Sequence, residues 1–304
     1  MTLWHRYHLP SSLEEAADLL ARYAGRARVV AGGTDLLLEI RQGIRPPIEA
    51  LVDITRIPEL RRITQEGDAL IIGAGVTHSE IVRHPLVRAR ATCLAEGCGV
   101  IGGPQVRNVA TLGGNVIHAL PAADGTTALV ALDAETEVWQ DGQRRRLPIL
   151  EMFRGPGKSA LDPTRDLLLA LRVPLHQGGE ASAFKRIMRP QGVALPVLVC
   201  AVWVRLAPDG ATVEQARVCI GPVGPTPLRA VSVEEALHGR VYDEALLDEV
   251  VRVARRDLHP RASKYRATAE YRQEMIEVLL RRALPLAVRR ARSGEAVPEE
   301  VERA

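Results

Sequence analysis

Two Gly-Gly pairs constrain this chain more than any other feature. Gly32-Gly33 lies between a short apolar run, Arg28-Val29-Val30-Ala31, and a helix-like stretch from Thr34 to Gln42 that Gly43 closes. Gly113-Gly114 lies in Thr111-Leu112-Gly113-Gly114-Asn115, just after a second glycine cluster, Gly99-Val100-Ile101-Gly102-Gly103-Pro104. A diphosphate must be met by backbone N–H groups, and glycine permits an approach that a side chain would block. A turn that opens a helix adds the positive end of the helix dipole to the same volume. Either pair alone reads more often as a plain tight turn. Two such nests in one chain suit a long dinucleotide.

Neither cluster has the Gly-x-Gly-x-x-Gly spacing of a Rossmann site, and no Gly-Lys-Ser/Thr follows as a P-loop requires. Asp124 begins a predicted helix ten positions after Gly114. A carboxylate there can accept hydrogen bonds from sugar or ribityl hydroxyls, and a simple N-terminal helix cap explains the spacing equally well.

The rest of the chain reads as an α/β half followed by an α+β half. Ser11 and Ser12 each stand ahead of a glutamate at capping-box spacing and precede a helix to Tyr23. Strands are predicted at Leu51–Ile54 and Ala69–Gly75, a capped helix at Thr77-His78-Ser79-Glu80, and a helix from Leu86 to Gly97. Asp141-Gly142 turns a hairpin between Glu135–Trp139 and Arg144–Leu147, and Leu167–Val173 is a further strand. A Gly, Gln and His-rich stretch at 174–180 marks a domain boundary. Beyond it come strands at 181–188, 197–206 and 213–220, then helices over 231–238, 243–254 and 264–291, and a tail from Ser293 to Ala304 expected to fray.

Composition narrows the function. A net charge of +3 and 3% aromatic residues offer little to nucleic acid. No apolar run reaches the length of a membrane helix and no secretory leader is visible at Met1–Pro10, so a cytoplasmic location is expected. The four cysteines, Cys93, Cys98, Cys200 and Cys219, match neither zinc nor iron–sulfur spacing, and no metal site is expected. Only three lysines occur, Lys158, Lys185 and Lys264, against a majority of arginines.

Taken together, these residues resemble the FAD-binding middle subunit of the molybdenum hydroxylases, the family of xanthine dehydrogenase, carbon monoxide dehydrogenase and hydroxybenzoyl-CoA reductase. The resemblance rests on Val30-Ala31-Gly32-Gly33-Thr34-Asp35-Leu36, Leu51-Val52-Asp53-Ile54, Ile72-Gly73-Ala74-Gly75-Val76-Thr77, and above all Gln105-Val106-Arg107-Asn108-Val109-Ala110-Thr111-Leu112-Gly113-Gly114-Asn115 followed by Pro121-Ala122-Ala123-Asp124. It continues through Leu168–Pro174, Ala183-Phe184-Lys185 and Arg261-Ala262-Ser263-Lys264-Tyr265-Arg266.

The resemblance implies an α+β chain with a flavin domain of the p-cresol methylhydroxylase (PCMH) type over 1–176, made of two α/β subdomains at about 1–56 and 57–176. A C-terminal domain over 177–292 follows, with a three-stranded antiparallel sheet and helices, and then a flexible tail over 293–304. Carried over by position, Val29, Val30, Ala31, Gly32, Gly33, Thr34, Asp35, Leu36, Thr111, Leu112, Gly113, Gly114 and Asn115 hold the FAD pyrophosphate, and Ile101 contacts the cofactor. Asp124 binds polyol hydroxyls, Ile117 lies near the flavin ring, and Leu168 and Lys185 fall on further cofactor positions. Lys185 also reads as a strand-edge solubilising charge. No catalytic residue is implied, because the flavin carries the chemistry.

The expected role is electron transfer. A large partner with a molybdopterin cofactor hydroxylates the substrate, a small partner with [2Fe-2S] clusters carries the electrons, and FAD on this chain passes them to an external acceptor. The assembly implied is a dimer of heterotrimers. Two departures matter. The cysteine-bearing insertion of the hydroxybenzoyl-CoA reductase branch is absent between Asn115 and Asp124, and Thr34-Asp35 replaces the His-Ser usual after the first Gly-Gly of carbon monoxide dehydrogenases. A stand-alone flavoenzyme with its own substrate and a flavin-free assembly subunit are the rival readings.

Overall fold

The computed structural model describes residues 3–189, 195–263 and 266–299, so Lys264 and Tyr265 of the last family motif, and the end of the tail, lie outside the described residues. In chain order the elements are β1 (Trp4–His8), α1 (Leu13–Tyr23), β2 (Ala27–Val30), α2 (Leu36–Arg41), β3 (Ile48–Asp53), β4 (Ile63–Glu66), β5 (Ala69–Gly73), α3 (His78–Arg83), α4 (Pro85–Arg90), α5 (Thr92–Gly99), α6 (Pro104–Arg107), α7 (Leu112–Ile117) and α8 (Asp124–Ala131). They continue with β6 (Glu135–Gln140), β7 (Gln143–Pro148), β8 (Phe153–Gly155), β9 (Lys158–Ser159), β10 (Leu167–Pro174), β11 (Glu180–Met188), β12 (Pro196–Leu206), β13 (Thr212–Gly221), β14 (Leu228–Arg229), α9 (Val231–Leu237), β15 (Arg240–Val241), α10 (Glu244–Asp257) and α11 (Ala269–Ser293).

Local chemistry explains many of the boundaries. The Ser12 hydroxyl accepts from the Glu15 amide at 3.1 Å and starts α1. Thr77 and Glu80 complete a reciprocal capping box at the start of α3. Asp141 and Gly142 take φ of +52° and +75°, the left-handed pair that a two-residue hairpin needs, and β6 and β7 close on Gln140 opposite Gln143. One prediction changes form. The helix expected over 86–97 breaks at Ala91 into α4 and α5, because α4 runs along the surface while nearly all of α5 is buried. The helices expected from Thr34 and from 264 begin instead at Leu36 and Ala269.

Three sheets organise the chain. β1, β3 and β2 pair in parallel, and α1 packs on one face over a core of Leu13, Leu20, Val52 and Leu60. β4, β5, β10, β6 and β7 form an antiparallel sheet against which helices α3–α8 build the largest core. β11, β12 and β13 make the long C-terminal antiparallel sheet, with the two-residue strands β14 and β15 added on β13. The boundary expected near 176 falls in the connection between β10 and β11.

The C-terminal sheet is buried on both faces. Val199, Ala201, Trp203 and Phe184 join the core of α5 and α8, whereas Leu198, Cys200, Val202 and Ala183 join the core of α9–α11. Strand alternation therefore assigns each residue of β11 to one neighbour or the other.

A buried ion pair ties the two halves together. Glu96 of α5 accepts from Arg290 Nη2 of α11 at 2.6 Å, from the Phe184 amide at 2.8 Å and from the Glu299 amide at 3.0 Å. Arg290 also donates to the carbonyls of Ser182 and Val297. The tail expected to be free from residue 293 is thus held as far as Glu299.

Truncating one partner of a buried, hydrogen-bonded pair leaves the other charge uncompensated, which costs about 3–5 kcal/mol. Arg290→Ala is expected to lose that much stability in chemical denaturation, whereas Arg255→Ala, which removes exposed pairs to Glu274 and Glu277, is expected to leave the denaturation midpoint nearly unchanged.

Candidate functional site

The first glycine turn closes β2 onto α2. Gly33 takes φ of +66°, and its carbonyl accepts from the Leu37 amide at 3.0 Å. Among the described residues, the amides of Gly32, Gly33, Thr34 and Asp35 donate to no backbone carbonyl, which leaves four consecutive donors at one turn. Val29 and Val30 lead into the turn from β2, Ala31 and Thr34 are partly buried in it, Asp35 is exposed, and Leu36 opens α2.

Gly32 is fixed by packing. A Cβ on Gly32 would lie 2.1 Å from the Val109 carbonyl oxygen and 2.8 Å from the Ala110 Cα, so this turn rests directly on the backbone that leads into the second glycine loop. The two loops are neighbours for that reason. His118, just past α7, stands 3.9 Å from carboxylate oxygens of both Asp35 and Glu39 and brings the far ends of the two loops together as well.

The second loop works differently from the expectation of two equivalent nests. Its amides are already bonded: Leu112 to the Val76 carbonyl, Gly113 to the Ala74 carbonyl, Gly114 to the Thr111 hydroxyl and Asn115 to the Thr111 carbonyl. A Cβ on Gly113 would meet the Ala74 oxygen at 2.5 Å, so this glycine serves close packing. Gly114 is exposed, and its missing Cβ would meet only the Thr111 hydroxyl, at 3.2 Å. Further donors come from the preceding cluster, where Gly102 has φ of +49° and the amides of Gly102 and Gly103 donate to no backbone carbonyl among the described residues. Arg107 holds that turn through the carbonyls of Ile101 and Gly102, at 3.1 and 2.9 Å.

Asp124 is the first residue of α8, and the cap position belongs to Ala123, which makes no side-chain cap bond. The helix-cap explanation for Asp124 therefore falls. The residue is 5% exposed; Oδ2 accepts from Arg186 Nη1 at 3.2 Å, and among the described residues Oδ1 has no hydrogen-bond partner. Burial pushes its pKa up to about 7 against the opposing pull of Arg186 and Arg266. A buried carboxylate oxygen without a donor is costly, and a ligand hydroxyl would satisfy it. Asn115 links this helix to the second loop, because its side-chain oxygen accepts from the amide and hydroxyl of Thr126.

The remaining predicted positions divide. Ile101 is partly buried in the turn before α6, Ile117 packs at the end of α7, and Leu168 is buried in β10 within the main core. Lys185 lies on β11. It pairs across β11 and β12 with Cys200, on the face that meets the C-terminal helices, and its ammonium bonds Glu299. Arg186 pairs with Val199 on the opposite face and reaches Asp124. Residue type alone does not separate Lys185 from Arg186, because only the strand pairing tells their faces apart.

His78 lies close to this site. It is buried beside the second loop, its amide donates to the Ala110 carbonyl, and burial with Arg107 nearby lowers its pKa to about 4, so it stays neutral. Cys93, Cys98, Cys200 and Cys219 are buried and unpaired, and among the described residues no cluster of His, Cys, Asp and Glu could hold a metal. No described helix is long and apolar enough to cross a membrane.

Two family models match the chain. Residues 3–176 match the FAD binding domain in molybdopterin dehydrogenase, and residues 182–287 match the CO dehydrogenase flavoprotein C-terminal domain. The chain is 32% identical to the carbon monoxide dehydrogenase medium chain of Hydrogenophaga pseudoflava, over 91% of this chain and 95% of that one. It is 30% identical to the xanthine dehydrogenase FAD-binding subunit of Escherichia coli O157:H7, over 93% and 95%. The solved carbon monoxide dehydrogenase of H. pseudoflava, a form lacking the Mo-pyranopterin moiety of its molybdenum cofactor, superimposes with a TM-score of 0.87 over 94% of this chain and 98% of that one.

The two Gly-Gly pairs are separable by substitution. Gly32→Ala is expected to destabilise the fold by on the order of 3 kcal/mol, because a backbone carbonyl cannot yield to the new methyl group. Gly114→Ala is expected to leave the melting temperature within a few degrees while weakening retention of a bound dinucleotide. Thermal melts with ligand quantification check both; an undisturbed Gly32→Ala fold would contradict the packing.

Proposed function

The chain belongs to the FAD-binding medium subunits of the molybdenum hydroxylase family, and from that premise we propose that it relays electrons within such an enzyme while leaving substrate choice to another chain. Its relatives are FAD subunits of oxidoreductases that include carbon monoxide and xanthine dehydrogenases.

The observation that carries this reading is the presence, among the described residues, of unused amides at Gly32–Asp35 and of a buried Oδ1 of Asp124 without a hydrogen-bond partner. An extended ligand with a diphosphate and a hydroxylated chain has the chemistry to satisfy both. FAD has both groups. The amides of Gly32, Gly33, Thr34 and Asp35 would face the pyrophosphate, with Gly102, Gly103 and Gly114 giving it room, and Asp124 would accept from the polyol. When bound, the flavin supplies exchange between one-electron and two-electron transfers. The chain's own part is to hold, orient and desolvate the cofactor, and no acid–base group is needed for that.

The partners in this reading are a large chain with a molybdopterin cofactor and a small chain with [2Fe-2S] clusters, assembled as a dimer of heterotrimers in the cytoplasm. Electrons arrive from the clusters and leave to an external acceptor. Affinity purification of the chain from its source cells, followed by identification of bound chains and metal analysis, tests the assignment. Recovery of one large and one small chain with molybdenum and iron is the expected result. A chain that purifies alone and oxidises a small substrate would overturn it in favour of a stand-alone flavoenzyme.

A further inference from the structure

We propose that Arg186 is a positioning residue of the cofactor site: it holds the Asp124 carboxylate charged and turned so that Oδ1 accepts a hydrogen bond from a ligand hydroxyl. This deepens the functional reading above and rests on it for the identity of the ligand.

Side chains alternate across a strand, and the cross-strand partners of β11 show which face each belongs to. Ser182, Phe184 and Arg186 face α5 and α8, as Phe184 packs in their core and Arg186 stands opposite Val199. Ala183 and Lys185 face the C-terminal helices. A cation at position 185 therefore serves Glu299, and a cation at 186 serves Asp124. A one-residue difference decides which half of the molecule receives the charge.

The second step is electrostatic. Asp124 and Arg186 are both largely buried, with side chains 7% and 12% exposed, and their contact is a single one at 3.2 Å. A second contact would bring both carboxylate oxygens to the guanidinium, as bidentate pairs do. Here Oδ1 has no partner among the described residues. Arg186 thus neutralises one oxygen and leaves the other as an acceptor.

Other groups around Asp124 do not replace this role. Arg266, from the segment before α11, acts on Asp124 through space and is itself desolvated. Cys98 of α5 faces the carboxyl, and burial pushes its thiol well up, so it stays neutral. Arg107 of α6 feels the charge of Arg186, which with burial lowers its own pKa. Burial pushes the Asp124 carboxyl up to about 7 even with Arg186 and Arg266 acting on it.

The sign of the pH dependence follows. A ligand hydroxyl donates to the charged form and binds it better, so affinity should hold above about pH 7 and fall as the pH drops through that value. Without Arg186 the carboxyl takes up its proton at higher pH, and the loss of affinity moves up with it.

The test uses the full chain purified with its partner chains, stripped of flavin and titrated with FAD across pH 5.5–9, each variant paired with an isotope-edited infrared titration of the Asp124 carboxyl. Arg186→Gln is expected to weaken FAD binding about tenfold or more at neutral pH, the worth of one charge-assisted hydrogen bond. It should also move both the binding midpoint and the infrared midpoint upward by about one unit or more. Arg186→Lys should restore part of each, and Lys185→Gln should leave the infrared midpoint of Asp124 in place.

An unchanged infrared midpoint in Arg186→Gln, or a larger shift in Lys185→Gln, would overturn the proposal. So would a shifted infrared midpoint with unchanged FAD affinity. Failure of the wild-type complex to take up FAD at any pH would instead sink the functional reading, and the infrared shift would still report whether Arg186 governs the charge of Asp124.

Discussion

Everything at the candidate site depends on one contact between two stretches of backbone. The turn at Gly32 sits so close to the Val109 carbonyl that only a residue without a Cβ fits. That contact sets the first glycine turn beside the segment feeding the second loop, and the second loop is in turn pressed onto Ala74 at Gly113. Two subdomains with separate cores are thereby joined where neither has a side chain to spare. The free amides of the first turn lie at this contact.

The C-terminal part supports this arrangement from behind. Its long sheet is shared, one face given to α5 and α8 and the other to α9–α11, so the register of β11 fixes which residues reach the cofactor side. The Glu96–Arg290 pair locks α5 to α11 in the buried interior. Such a pair is worth little as net stability and much as specificity of alignment, since a slip of either element would leave a bare charge. The position of Asp124 at the start of α8, and of Arg186 opposite it, follows from that alignment.

The secondary structure was readable wherever local chemistry decides it. The caps at Ser12 and Thr77, the Asp141-Gly142 hairpin and the three long C-terminal strands all have short-range causes. The break at Ala91 was not readable, because it arises from burying α5 on all sides, which only the assembled core dictates. At the site, the glycines and Asp124 could be picked out by residue type. Their division of labour could not: whether an amide is free or already bonded, as at Gly33 against Gly113, depends on partners distant in sequence. Lys185 and Arg186 make the same point, since both are cations and only pairing with Cys200 or Val199 tells their faces apart.

The central claim is that this chain holds one FAD at the junction of its two glycine loops. Its most direct test is the flavin released on denaturing the purified native complex, identified chromatographically and counted against the chain. The account requires FAD at close to one equivalent per chain. A complex with every partner present and no flavin in any form would contradict it.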